Sequence, residues 1–287
     1  MMGIERYNST DPIAWCPGCG NFGMLGAVKK AMDKLELAPE EVLLVSGIGQ
    51  AAKLPHYVKA NCFNGLHGRA LPVACGARMA NRRLNVIVTT GDGDCYGEGG
   101  NHLIHNIRRN PDITVVVHNN QIYGLTKGQA SPTTDRDYVT PVQTKGVIEE
   151  PFHALQAAIT LGVGFAARSF SGEIDHAAAM ITKGVEHKGF ALVEVMQPCV
   201  SFNKKNTHAW YKERIYKLEE EDEYDPGDRN AAYIRAGQWG EKIPIGVLFE
   251  EGSDSFEKRS GLLDRAPLAE EDIENIDISP MLEDFRV

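Results

Sequence analysis

The chain has 287 residues, enough for one large α/β domain with appendages or for two small ones. A formal charge of −9 argues against nucleic acid as a partner, and no apolar stretch of about 18 residues is present to span a membrane. The apolar share of 43% is ordinary for a globular chain, and six cysteines without an export signal in residues 1–10 point to metal, cluster or buried thiols in a cytoplasmic protein.

In chain order, Trp15-Cys16-Pro17-Gly18-Cys19-Gly20 comes first. Cys16 and Cys19 bring two thiolates to one centre, which suits zinc, an iron–sulfur cluster or a redox disulfide. No strand precedes the pair, which counts against a thioredoxin-like unit. Residues 22–35 carry apolar side chains at helical spacing (Met24, Leu25, Val28, Met32, Leu35). Residues 41–45 read as a buried strand ending in the glycine turn Ser46-Gly47-Ile48-Gly49, with Lys53 shortly after it. Taken alone, Lys53 is a solvated lysine. Cys62 and His67 fall in a stretch, 61–69, that reads as irregular, and 69–82 reads as a helix in which Cys75 is packing.

The centre of the chain is Gly91-Asp92-Gly93-Asp94. The β-branched run 85–90 leads into it as a buried strand, so Asp92 falls at a strand's carboxyl end, the usual ligand position of an open α/β sheet. A helix over 99–109 and a second strand over 113–118 then deliver Asn119 and Asn120 to the same edge. A carboxylate and an amide oxygen are hard ligands suited to Mg²⁺, which also takes phosphate oxygens. A Gly-Asp-Gly is by itself a common turn. Followed about 28 residues later by Asn120, it resembles the thiamine diphosphate signature.

Residues 123–132 are too polar and glycine-rich for core and read as a loop over the ligand edge. Helices are expected over 151–161 and 172–188, and a buried strand over 191–196, which sets Cys199 at a further strand end. The acidic run 219–223 reads as a solvated face, 243–249 as one more strand, and the stretch to Val287 as a weakly structured acidic extension. The organisation expected is a mostly parallel sheet flanked by helices in residues 1–205, with 206–287 an irregular extension packing on the core or on a partner.

Six motifs occur in order: Trp15 to Phe22, Ser46-Gly47-Ile48-Gly49, Leu66-His67-Gly68-Arg69, Gly91-Asp92-Gly93-Asp94, Tyr123-Gly124-Leu125-Thr126-Lys127-Gly128-Gln129 and Gln197-Pro198-Cys199. Together they resemble the β subunit of 2-oxoacid:ferredoxin oxidoreductases, and the long C-terminal part resembles the 2-oxoglutarate branch. The resemblance implies the thiamine diphosphate fold, holding the diphosphate, Mg²⁺ and one [4Fe-4S] cluster. Mg²⁺ would be held by Asp92, the Asn120 side chain and the Ile122 carbonyl. Gly18, Ser46, Gly47, Ile48, Gly49, His67, Gly91, Gly93, Asp94, Gly124, Leu125 and Thr126 would contact the cofactor. Lys53 and Leu125 would face the substrate, and His67 would lie near the reacting end.

The implied reaction is the reversible oxidative decarboxylation of a 2-oxoacid, with coenzyme A taking the acyl group and ferredoxin the electrons. The implied assembly is αβ or (αβ)2. The glutamate that activates the cofactor lies on the α subunit in this family, so the chain alone is expected to be inactive. Cys16, Cys19 and Cys199 carry over as cluster ligands. The family's cysteine directly after Ser-Gly-Ile-Gly is Gln50 here. Cys62 is the expected fourth ligand, Cys95 a second choice beside the Mg²⁺ turn, and Cys75 the least suited. A non-redox thiamine enzyme and a zinc-stabilised binding subunit are the alternatives.

Overall fold

A computed structural model describes residues 3–271 and 276–286; parts of the first ten residues and of the acidic C-terminal stretch lie outside it. Among the described residues ten strands form in chain order: β1 (Val42–Ser46), β2 (Asn61–Asn64), β3 (Asn85–Gly91), β4 (Thr114–Asn119), β5 (Ile122–Tyr123), β6 (Gln129–Ala130), β7 (Phe165–Phe170), β8 (Ala191–Met196), β9 (Ile215–Lys217) and β10 (Ile243–Glu250). Eight make one sheet in the order β2-β1-β3-β4-β8-β7-β10-β9, while β5 and β6 pair as a separate hairpin. The run from β2 to β7 is parallel; β10 joins β7 antiparallel and carries β9 parallel to itself.

Helices cover both faces, as a parallel sheet requires. On one side α1 (Asn21–Lys34) packs with the helix Ile174–Glu186. Met24, Val28 and Met32 of α1 meet Leu44, Ile87, Val116 and Val193 of the strands there. On the other side α2 (Ala70–Ala80) and α3 (Gly100–Arg109) press Leu71, Ala74, Leu103 and Ile107 against Val86, Val88, Val115 and Val117. The period of two along β3 and β4 thus serves two cores at once, which is why neither strand shows a polar alternation. Each fully buried Val, Leu or Ile here contributes roughly 1.5–3 kcal/mol. Helix α3 stops at Asn110, whose φ of +58° is the left-handed cap that asparagine tolerates, and whose side chain accepts from Phe190 N.

Several elements depart from the sequence reading. Asn61–Asn64 is not irregular but an edge strand, parallel to β1 with Cys62 opposite Leu44. All four of its residues are exposed, so no apolar pattern marks it. Strand β7 went unread because Arg168 sits in its middle. That guanidinium is buried with Glu194, donating from Nε to Oε1 at 3.1 Å and from a terminal nitrogen to Ala236 O at 2.9 Å. A buried charge survives when it is paired and hydrogen-bonded in this way. Beyond residue 206 the chain does more than cover the core: β9 and β10 extend the sheet, and the helix Arg229–Ala236 packs on Ala154–Thr160.

Candidate active site

The carboxyl ends of β1, β3 and β4 open into one cleft. Residues 48–51 follow β1, 91–94 follow β3, and Asn120 with 122–126 follows β4; His67 and Glu98 complete the lining.

Asp92 forms the floor and is 1% exposed. Its Oδ2 accepts from Ser131 Oγ at 2.5 Å and Thr133 Oγ1 at 2.7 Å, and its Oδ1 from Asn120 N at 3.4 Å. Burial pushes its pKa up to about 6, and these donors work against that rise. No lysine, arginine or histidine pairs with it among the described residues. A buried carboxylate steered by hydroxyls and lacking a cationic partner is the electrostatic complement of a divalent cation. The donor set therefore fits Mg²⁺.

Asn120 and Ile122 are turned toward the cleft by the residue between them. Gln121 has φ +58°, a left-handed backbone that costs a non-glycine residue roughly 1–2 kcal/mol. Its buried side chain offsets this by donating to Thr133 O at 2.7 Å and Asp135 Oδ1 at 3.0 Å and by accepting from Tyr211 OH at 3.2 Å. Asn120 Oδ1 takes Ile122 N at 3.0 Å, and an amide oxygen keeps a second lone pair for a metal.

Ile48, Gly49, Gly91, Gly93, Asp94, Gly124, Leu125 and Thr126 line the cleft together with Asp92, Asn120 and Ile122. Ser46 and Gly47 sit behind it. Ser46 Oγ donates inward to Ala52 O, and a Cβ on Gly47 would lie 1.9 Å from Asp94 Oδ2, so only glycine lets that carboxylate approach. Asp94 in turn accepts from Gly68 N and Thr90 Oγ1, both at 2.8 Å, and burial raises its pKa. His67, Asp94 and Glu98 offer ligand atoms within 4.8 Å of one another. Lys53 lies half-buried on the short helix Ala51–Tyr57, two residues beyond the lining residue Ala51, and Gly18 lies in the cysteine loop; neither lines the cleft.

The cysteine loop borders this site. Gly20 N donates to Pro198 O at 3.2 Å, stapling the loop of Cys16 and Cys19 to the segment that carries Cys199. Burial raises the pKa of Cys19, and the nearby Cys199 and Cys16 raise it further. The position built on Gly124 for a Cβ lies 3.7 Å from Cys199 Sγ, so the thiols abut the cleft wall. Gln50 is beside them, its carbonyl accepting from Trp15 Nε1 at 3.0 Å. Cys16, Cys19 and Cys199 are free thiols on two segments stapled together at this edge, and their chemistry fits a thiolate-held cluster, although the three sulfurs do not all come within 4.8 Å of one another. Cys62 is exposed on β2, two residues short of that strand's end; Cys95 is buried beside Asp92, where burial and the nearby carboxylates push its thiol far up; Cys75 is buried in α2.

Ser131, Thr133 and Gln121 were not given a role from the sequence, and Gln197 entered only as part of the Gln197-Pro198-Cys199 motif. A hydroxyl-rich stretch, Ser131-Pro132-Thr133-Thr134, was the available signal for the first two; the left-handed Gln121 left none.

Residues 45–195 match the thiamine pyrophosphate enzyme C-terminal binding domain, and residues 199–264 match the C-terminal part of the pyruvate ferredoxin oxidoreductase β subunit. The chain is 41% identical over 265 residues to the 2-oxoacid:ferredoxin oxidoreductase subunit beta of Saccharolobus solfataricus, covering 88% of this chain and 86% of that one. It is 38% identical over 209 residues to the 2-oxoglutarate oxidoreductase subunit KorB of Mycobacterium tuberculosis, covering 73% and 56%. It superposes with a TM-score of 0.91 on a 2-oxoglutarate:ferredoxin oxidoreductase from Magnetococcus marinus solved with 2-oxoglutarate, coenzyme A and succinyl-CoA bound, at 32% identity over 100% of this chain and 97% of that one. The fold and cleft are those of a thiamine diphosphate enzyme. Within that class, the chain belongs to the 2-oxoacid:ferredoxin oxidoreductase family as its β subunit.

Proposed function

We propose that this β subunit serves a 2-oxoglutarate enzyme, working with an α subunit in a cytoplasmic αβ or (αβ)2 assembly. It takes 2-oxoglutarate and coenzyme A reversibly to succinyl-CoA and CO₂ and passes electrons to ferredoxin. The observation that carries the site is Asp92, an anion buried without a cationic partner at the floor of the cleft. Asp92, the Asn120 side chain and the Ile122 carbonyl hold Mg²⁺ and through it the diphosphate. Thiamine diphosphate, when bound, supplies the electron sink for breaking the bond between the keto carbon and its carboxylate. Residues 48–51 and 122–126 wall the cleft, and the exposed His67 completes its lining. Cys16, Cys19 and Cys199, with Cys62 as fourth ligand, hold one [4Fe-4S] cluster as the electron exit.

Two features support 2-oxoglutarate over pyruvate or a broad oxoacid range. One is the likeness to the Magnetococcus marinus enzyme. The other is Lys53, which has no carboxylate partner among the described residues and lies just past the cleft wall. A cation there suits the distal carboxylate that pyruvate lacks, and Leu125 bounds the apolar side. A charge-assisted contact contributes roughly 1.5–3 kcal/mol, or about 10- to 150-fold in discrimination. Steady-state kinetics of the αβ enzyme test this: Lys53→Ile should raise KM for 2-oxoglutarate far more than for pyruvate. Equal effects on both substrates would remove Lys53 from that role.

A further inference from the structure

Gln197 follows β8 and is 1% exposed. Its backbone N–H donates to Asn119 O at 2.8 Å, which fixes it beside the end of β4. Its side-chain Nε2 donates to Pro198 O at 2.9 Å and to Cys19 Sγ at 3.5 Å. Its Oε1 accepts from Asn120 Nδ2 at 3.4 Å. One buried amide therefore touches the metal-side asparagine with one end and a cluster-side thiol with the other. The orientation is set by chemistry: Pro198 O and the sulfur are acceptors, so the NH₂ group must face them. The oxygen is left for Asn120, whose NH₂ it takes, and this turns Asn120 Oδ1 to Ile122 N and away from Gln197. The space is reserved, since a Cβ on Gly20 would lie 2.8 Å from Gln197 Cγ.

We propose that Gln197 is a positioning residue with two functions: its amide N–H raises the reduction potential of the cluster, and its amide oxygen orients Asn120 as a metal ligand. The inference rests on the assignment of Cys19 to a cluster and Asn120 to Mg²⁺. Donation to a ligand sulfur stabilises the reduced, more negative cluster. Orienting a first ligand commonly changes metal affinity by about 10–100-fold. The two ends separate by substitution. Gln197→Leu loses both; Gln197→Glu keeps an oxygen for Asn120 and loses the donor to Cys19.

The experiment uses the αβ enzyme, with cluster potential from EPR-monitored redox titration and Mg²⁺–thiamine diphosphate affinity from calorimetry. In both variants the reduction equilibrium constant should fall about tenfold, which is 59 mV for one electron. Cofactor affinity should fall about tenfold in Gln197→Leu and stay near wild type in Gln197→Glu. Wild-type potentials in both variants, or equal loss of affinity in both, overturns the proposal. Should the variants not fold, the Gln50→Ala enzyme, with Gln197 unaltered and ¹⁵N in its glutamine side chains, provides the readout. A ¹⁵N coupling to the reduced cluster supports the contact, and its absence overturns it. A wild-type enzyme with no cluster signal at all overturns the cysteine assignment beneath it, whereas a normal signal with unmoved potentials overturns only the role of Gln197.

Discussion

The floor of the cleft and the cysteine edge sit at the ends of neighbouring strands, yet they are held in opposite ways. Asp92 is enclosed by Ser131, Thr133 and the Asn120 N–H, and Thr133 Oγ1 also lies 2.9 Å from Asn119 Oδ1. Asn119 Nδ2 then donates to Glu194, which pairs with Arg168, so the floor is continuous with a buried polar network. At the edge, Cys16 is exposed and accepts one hydrogen bond from Ser201, while Cys19 accepts one from Gln197. A preorganised floor keeps its shape without its ligand, whereas thiols with so few internal contacts would gain order from a bound metal. The difference marks which half of the site the polypeptide builds and which half a bound cluster would complete.

The sharpest way to break this contrast is to empty the floor alone. Asp92→Ala should abolish retention of thiamine diphosphate on gel filtration while leaving iron content near wild type. Full cofactor occupancy in that variant would withdraw Asp92 from the metal. Emptying the edge alone is the converse: Cys16→Ala, Cys19→Ala and Cys199→Ala should each lose the reduced-cluster EPR signal with thiamine diphosphate still bound. Cys62→Ala should join them, and a normal four-iron signal there would mean that the fourth ligand lies elsewhere. A smaller effect probes the support beneath the floor. Thr133→Val keeps the shape and removes the hydroxyl donor, and Mg²⁺ affinity by titration should fall about 10–100-fold. Smallest is Cys75→Ala in the α2 core, distant in role from both halves, which should cost on the order of 1 kcal/mol in denaturant unfolding and leave both cofactors in place.

The strands that build the floor were legible because β3 and β4 are rich in β-branched residues and each ends in a motif with distinctive chemistry. Asp92 and Asn120 could be set at strand ends from those runs, and Cys199 from the apolar run of β8. The edge strand β2 was not legible, since exposed residues paired on one side need no apolar pattern. Strand β7 was hidden by Arg168, whose burial depends on Glu194, 26 residues away. The same holds within the site. Ser131 and Thr133 act on Asp92 from 39 and 41 residues downstream, and Gln197 reaches Cys19 across 178 residues, separations that a single sequence leaves unmarked. Residues 243–249 were read as a strand, but β9 after residue 206 was not, and the place of both in the sheet was not legible for a related reason: their partners are each other and β7, not the residues beside them in sequence.

The central claim is that one chain carries both a metal–diphosphate floor and a cluster edge. Iron and zinc analysis with EPR of the dithionite-reduced αβ enzyme tests it most directly, run beside the Asp92→Ala and Cys199→Ala variants. The account predicts about four irons and no zinc at the β-chain site, an EPR signal lost in Cys199→Ala and kept in Asp92→Ala. A colourless, zinc-containing protein whose spectrum is indifferent to Cys199 would contradict it.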